Sequence, residues 1–271
     1  MSNRTMPQPL AEVISAAKQR MMGAAGRIAL FLDFDGTLVR IQPDPAAPRL
    51  DPDTAETLKA IANQERLVTT IISGRAVEDL YGRIRLENLI YAGNHGLEIF
   101  GRNLYFVDPA AFARRAQLES LCEELAAELR AITGPIVEYK GLTASVHYRM
   151  AAETDLEAIR KTVYAAVARK GKLFRVRIGR KVFEILPPTD WHKGSAVRWI
   201  VQHLGQADTL VIYLGDDISD ENAFSVLPEA ITIRVGAAPV TCARYRLPDP
   251  AAVHEFLLWL VSREQAPPNG V

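Results

Sequence analysis

The stretch "LFLDFDGTLV", residues 30–39, decides the fold, because an uncharged apolar run passes directly into Asp33 and Asp35, two like charges one residue apart. Successive side chains of a strand point to opposite faces, so on a continued strand these aspartates share a side and repel. That placement demands a compensating cation, a shared proton or exposure. It also marks a location: open α/β sheets bind their ligands beyond the carboxyl ends of their strands.

Outward from this stretch the pattern repeats. "RIALFLDF" (27–34), "RLVTTIISG" (66–74), "ENLIYAGN" (87–94) and "TLVIYLGDD" (209–217) are short apolar runs rich in β-branched and aromatic residues, each stopping at polar residues or glycine. They read as buried parallel strands, and "AITIRVG" (230–236) adds another. Helical spacing lies between them, in "DPDTAETLKAIANQ" (51–64) with Pro52 just inside its start and in "KGSAVRWIVQHLG" (193–205) with a terminal glycine. "AAVHEFLLWLVSRE" (251–264) closes the chain as a helix, and Leu10, Val13, Ile14, Ala17 and Met21 place an amphipathic helix behind a polar tail over 1–8. Alternating strands and helices predict a doubly wound, Rossmann-like parallel sheet.

The middle breaks that alternation. From about residue 108 the pattern predicts a long helix (110–131), strands over 135–140 and 142–149, a helix over 153–169, and strands over 172–178 and 181–186. The expected organisation is therefore a discontinuous α/β core, 1–107 and 186–271, split by an inserted α/β cap domain, 108–185. Its strand "TASVHYRM" (143–150) alternates strictly, with Thr143, Ser145, His147 and Arg149 opposite Ala144, Val146, Tyr148 and Met150. Such a sheet has one polar face, open either to water or to a polar ligand.

With 271 residues, 48% hydrophobic and 24% charged, the chain has the composition of a soluble globular protein. Its 32 basic and 32 acidic residues balance, which gives no reason to expect nucleic acid or an anionic membrane as a bulk partner. Two cysteines, Cys122 and Cys242, are too few for a disulfide framework; with no signal-like or membrane-spanning stretch, the expected location is the cytoplasm. Oligomeric state is open at this level.

Three further segments supply chemistry to the strand ends. "YLGDDISDE" brings Asp216, Asp217 and Asp220, so up to five carboxylates converge, and a hard cation such as Mg²⁺ is the simplest way to offset their repulsion. "IISGR" places the Ser73 hydroxyl after a strand, and "DWHKGSAV" places Lys193 at a helix start. Hydroxyl, lysine, helix N-terminus and metal ion together form a phosphate-binding set. Taken singly, each has a plainer reading: an Asp/Gly turn, an N-cap serine, a surface lysine.

In this order, Asp-x-Asp-Gly-Thr, Ser, Lys and Gly-Asp-Asp-x-x-Asp resemble the haloacid dehalogenase superfamily of phosphohydrolases. Within it the chain is most similar to the trehalose-phosphatase family, the trehalose-6-phosphate phosphatases, through "ISGR", "GNHGLE" (93–98), "EYKGLTASVHYR" (138–149) and "GDDISDENAF" (215–224). The resemblance implies Mg²⁺-dependent hydrolysis of trehalose 6-phosphate through an aspartyl-phosphate. Asp33 is then the nucleophile, Asp35 the proton carrier, and Ser73 and Lys193 the groups on the phosphoryl oxygens. Metal ligation falls to Asp33, the Asp35 carbonyl and Asp216, with Asp217 or Asp220 direct or through water, while Thr37 orders the turn. Glu138, Lys140 and Arg149 match the family's sugar-binding spacing, with Ser145 and His147 on the same face; Asn94, His95 and Glu184 match other substrate positions. Cap closure is expected to exclude water. The alternatives are a related phosphatase of sucrose phosphate or a glycosyl phosphoglycerate, and, in another class, a receiver-like phospho-signalling domain.

Overall fold

The computed structural model describes residues 10–23, 26–205 and 208–264, so the tail reading for 1–8 lies outside the described residues. In chain order the elements are α1 (Leu10–Gly23), β1 (Ile28–Leu32), α2 (Pro52–Ala62), β2 (Leu67–Ile72), α3 (Val77–Ile84), β3 (Ile90–Gly93), β4 (Glu98–Gly101) and β5 (Leu104–Val107). There follow α4 (Pro109–Phe112), α5 (Arg115–Glu128), β6 (Ile136–Tyr139), β7 (Ala144–His147), α6 (Leu156–Arg169), β8 (Arg175–Gly179) and β9 (Val182–Leu186). The chain ends with α7 (Lys193–His203), β10 (Leu210–Gly215), α8 (Ile218–Val226), β11 (Ile231–Val235), β12 (Tyr245–Leu247) and α9 (Pro250–Glu264). Two compact units result: Met1–Tyr105 with Trp191–Val271, and Phe106–Asp190.

The first unit is built on a sheet in the order β12-β11-β10-β1-β2-β3-β4-β5. Strands β12 to β3 run parallel, and every residue of β1 is buried, as expected where helices cover both faces. Ile28, Leu30 and Leu32 point into a core with Val13 of α1, Leu58 and Ile61 of α2, and Phe256 and Leu260 of α9. On the opposite face Tyr213 of β10 meets Phe224 of α8 edge-on at 5.5 Å between ring centroids. Chain order reverses between β1 and β10, so the topological switch point lies where these two strands end. No helix among the described residues is long and apolar enough to cross a membrane.

The runs read as parallel strands are parallel; one addition and two corrections follow. Two strands not placed from sequence, β4 and β5, extend the sheet, with β4 antiparallel to β3. The connection between β4 and β5 uses Arg102 and Asn103, both at positive φ (49° and 65°), and an arginine there carries no turn signal in sequence. The helix expected over 110–131 is two helices: Asp108 caps a single turn by accepting from the Ala111 N–H at 2.7 Å, and the chain restarts at Arg115. Finally, β1 stops at Leu32, so Asp33 and Asp35 sit in a turn rather than on one strand face.

The second unit packs α5 and α6 against one side of a four-stranded antiparallel sheet, β6-β7-β9-β8. Ala144, Val146, Phe183 and Ile185 enter this core with Leu121, Leu125, Ile159 and Val163. Register sets the other face: Glu138 lies opposite Ser145, Ser145 opposite Glu184, and Glu184 opposite Arg177, one polar row across all four strands.

Helix α2 shows a local signal that sequence reads well. Asp51 accepts from the Thr54 N–H at 2.9 Å and from its hydroxyl at 2.8 Å, and Pro52 opens the helix. The Thr54 N–H holds the Asp51 carboxyl below its ordinary value. Its contribution is therefore present above the usual carboxylate pKa and fades as pH falls through the lowered one. Asp51→Ala should cost about 1 kcal/mol in urea unfolding at neutral pH, and less in acid.

Candidate active site

Asp33 follows β1 directly and is buried, its N–H donating to the Leu214 carbonyl of β10 at 3.0 Å. The turn behind it is tight: Gly36 N–H donates to the Val39 carbonyl at 2.7 Å, and both Leu38 and Val39 donate to Phe34. Gly36 has φ +85°, and a Cβ there would lie 2.1 Å from Asp216 Oδ2. The β1 turn and the β10 loop can approach each other this closely only through glycine. Thr37 is fully buried with its hydroxyl unpartnered, so it does not order the turn through that hydroxyl.

Lys193, the first residue of α7, sends its ammonium into this edge. Nζ donates to Asp33 Oδ1 at 2.6 Å and to Asp220 Oδ1 at 2.8 Å, and all three side chains are buried. Asp220 also accepts from the Tyr213 hydroxyl at 2.7 Å and from the Asp217 N–H at 3.0 Å. Asp216 receives none of these donors. Burial disfavours the Lys193 ammonium, but Asp220 and Asp33 outweigh it and hold its pKa above the ordinary value. Burial pushes the Asp33 carboxyl well up, Lys193 opposing it and Asp220 and Asp216 adding to it. Asp216 is pushed up to about 7 by burial and by its neighbours Asp220 and Asp217. Two carboxylates share one ammonium and a third, Asp216, stands beside them without it, so the cluster favours taking up positive charge.

Asp33, Asp216 and Asp220 bring carboxylate oxygens within 4.8 Å of one another, a donor set suited to a hard divalent cation. Of the five aspartates expected around the metal, these three bring their carboxylates together, while the part expected of Asp35 is its backbone carbonyl. The Asp35 carboxylate is held separately: Arg75 grips it with Nε on Oδ2 at 2.6 Å and Nη2 on Oδ1 at 2.8 Å. Each aspartate of the opening motif thus has its own cation, which is how their repulsion is relieved. Asp217 is the N-cap residue of α8.

Arg75 is the residue that sequence reading passed over, although it closes the quoted "ISGR". Besides Asp35 it donates to Asp79 at 2.9 Å and to the Pro45 carbonyl at 2.9 Å, and its guanidinium lies 5.6 Å from the Phe34 ring centroid. An arginine two residues beyond a strand-end serine was the available signal. Ser73 itself is buried, its Oγ accepting from the Arg75 N–H at 3.2 Å.

Asn94 and His95 follow β3 with φ of 49° and 60°, a strained pair for residues other than glycine. The Asn94 amide donates to Glu98 at 2.6 Å, and His95 N–H donates to the Ser73 carbonyl at 2.8 Å. Gly74 lies under the imidazole, since a Cβ there would come within 2.6 Å of His95 Cε1. These two residues therefore brace the Ser73–Arg75 turn.

In the second unit, the Glu138 carboxylate pairs with His147 Nε2 at 2.7 Å and lies 3.6 Å from the Lys140 ammonium. Arg177 pairs with Glu184 at 2.6 Å. Ser145 stands in the same row, but Arg149 does not: β7 ends at His147, and the Arg149 guanidinium donates to the Arg180 carbonyl at 2.9 Å.

A mostly parallel sheet with carboxylates gathered at its switch point, and a separate α/β unit inserted in the chain, is a fold shared with a haloacid dehalogenase-like hydrolase from Bacteroides thetaiotaomicron, with TM-score 0.59 and 16% identity over 86% of this chain and 99% of that one. The trehalose-phosphatase family model matches residues 31–250, and the chain belongs to that family. It is 38% identical over 237 residues to trehalose-phosphate phosphatase of Mycobacterium bovis, covering 84% of this chain and 60% of the relative. Thus the chain spans about three fifths of the mycobacterial relatives' length. It is 34% identical to a trehalose 6-phosphate phosphatase of Zea mays, covering 96% of this chain and 76% of the relative. The C-terminal domain of Candida albicans trehalose-6-phosphate phosphatase shares the fold, with TM-score 0.79 and 23% identity over 96% of this chain and 99% of that one.

The Gly36 contact yields a paired test. Gly36→Ala should destabilise by about 2 kcal/mol or more in urea unfolding, since φ and Asp216 both oppose a Cβ. Gly82→Ala, inside α3 where a Cβ meets nothing within 4 Å, should instead stabilise by about 0.5–1 kcal/mol.

Proposed function

We propose that this chain is a phosphatase that hydrolyses trehalose 6-phosphate to trehalose and phosphate. The observation that carries the reading is the buried Lys193 ammonium shared by Asp33 and Asp220 at the sheet's switch point. It supports an anionic reaction centre in which a carboxylate can attack a phosphoryl group without being repelled.

In the proposed reaction an Asp33 oxygen attacks phosphorus in line, and the bond from phosphorus to the sugar oxygen breaks. Asp35 delivers a proton to that oxygen, so trehalose leaves as the alcohol and Asp33 carries the phosphoryl group as an acyl phosphate. Asp35 then removes a proton from water, whose oxygen attacks phosphorus. The acyl-phosphate bond breaks at phosphorus, releasing phosphate and restoring the Asp33 carboxylate. Arg75 occupies one lone pair on each Asp35 oxygen and so orients the carboxylate while leaving a second lone pair on each for proton transfer. Ser73 and Lys193 hold the non-reacting phosphoryl oxygens. Mg²⁺ held by Asp33, Asp216 and Asp220 would supply charge neutralisation of the phosphoryl group.

Sugar recognition is assigned to the polar row of the second unit, Glu138, Lys140, Ser145, His147 and Glu184, with Arg149 at its margin. The unit Phe106–Asp190 is accordingly read as the cap domain. Both cysteines are free, Cys122 buried with its thiol pushed up to about 12 chiefly by burial, which suits a reducing cytoplasm.

Phosphate release should be fast from trehalose 6-phosphate and slow from sucrose 6-phosphate, glucose 6-phosphate and mannosyl phosphoglycerate; equal rates across the panel defeat the substrate assignment. Chelation should abolish turnover and added Mg²⁺ restore it. Asp33→Asn should lower kcat by about 10³-fold or more, and surviving activity refutes the nucleophile.

A further inference from the structure

The ammonium of Lys193 sits at the end of a flexible four-carbon stem, so its position depends on where the first turn of α7 holds the Lys193 backbone. That turn begins against local preference. A cation at a helix N-terminus opposes the helix dipole, and the first turn of α7 contains no acidic residue to offset it. The N-cap is His192, an imidazole in place of the usual Ser, Thr, Asp or Asn.

The imidazole performs the capping chemistry nevertheless. His192 Nδ1 accepts from the Gly194 N–H at 3.1 Å and from the Ser195 N–H at 3.4 Å, and Ser195 Oγ accepts in return from the His192 N–H at 3.4 Å. Nδ1 acts as acceptor only when unprotonated, which assigns the ring proton to Nε2. Two neighbours complete the clamp. Trp191 Nε1 donates to the Gly96 carbonyl at 2.7 Å, fastening the approach to α7 onto the strained turn after β3. Gly194 brings the turn hard against α8, since a Cβ there would lie 2.5 Å from Val226 Cγ2 and 2.9 Å from the Asn222 carbonyl oxygen.

We infer that His192, supported by Trp191, is a positioning residue for Lys193: its ring fixes the first turn of α7 so that the ammonium lands on both Asp33 and Asp220. Truncating the ring frees two N–H groups at the helix start and lets the turn fray, and the lysine then samples positions from which it reaches one carboxylate or neither. The inference rests on the phosphatase reading for its kinetic readout, though not for its energetic one.

The test uses the full chain with Mg²⁺, trehalose 6-phosphate and the generic substrate p-nitrophenyl phosphate. His192→Ala should lower kcat about fivefold to tenfold with KM within about twofold of wild type, the split expected when a group acting in the transition state is misplaced. His192→Asn and His192→Ser, whose side-chain oxygens cap as the imidazole does, should restore kcat to within about twofold. Unchanged kcat in His192→Ala overturns the inference, and so does a loss confined to KM. An equal kcat loss in the Asn and Ala variants overturns it as well, since the ring would then act on substrate directly. Independently of turnover, a double-mutant cycle of His192→Ala with Lys193→Met in urea unfolding should be non-additive, and additivity overturns the inference. A wild-type protein that hydrolyses neither substrate defeats the phosphatase reading alone and leaves the cycle to decide this one.

Discussion

The structure of the first unit depends on one buried ammonium. Lys193 Nζ lies between Asp33, which follows β1, and Asp220, which stands near the start of α8. An unpaired charge in such a place is severely unfavourable, so the three groups must arrive together or none is tolerated. Two glycines make the arrival possible. Gly36 admits Asp216 over the β1 turn, and Gly215 admits Asp220, whose Cγ would lie 2.3 Å from a Cβ at that position. A buried ion cluster is weak evidence for stability, since apolar residues of similar volume often serve that purpose as well or better.

A second cation serves the other aspartate of the opening motif. Arg75 binds Asp35 bidentately and spans to Asp79 and the Pro45 carbonyl, so it ties the segment after the motif to α3. Arginine suits this station: its planar fork meets both carboxylate oxygens, and it remains charged when desolvated. Lysine suits the other, where a compact ammonium must sit between two carboxylates. The two aspartates of the opening motif therefore occupy different electrostatic surroundings although they are separated by one residue.

The sheet and the grouping of Asp33, Lys193, Asp216 and Asp220 at its edge were legible because both rest on local chemistry. Continuous apolar runs ending in Asp, Ser or Gly announce buried strands with polar carboxyl ends, and β1, β2, β3 and β10 lie where those runs stand. What was not legible depends on where a strand stops or which side chain fills an unusual role. The alternation rule put Asp33 and Asp35 on one face, but the ladder ends at Leu32 and the turn separates them. The turn between β4 and β5 uses Arg102 at positive φ, and the cap of α7 uses His192, neither a residue that propensity marks for the task. Arg75 stood in plain view, yet only the fold reveals that its guanidinium grips the Asp35 carboxylate.

The polar row of the second unit has an electrostatic character of its own. Glu184 is met by Arg177, and Glu138 by Lys140 and His147, with Ser145 between them. Carboxylates and cations that neutralise one another leave a surface dense in donors and acceptors but low in net charge. Such a surface offers little to a phosphate dianion and much to a set of hydroxyls, each of which donates once and accepts twice. The ammonium and carboxylates of the first unit have the opposite character, concentrated charge with few neutral partners. Period-two alternation across four strands makes this division possible, because one register sends Val146, Phe183 and Ile185 into the core while Ser145 and Glu184 stay on the opposite face.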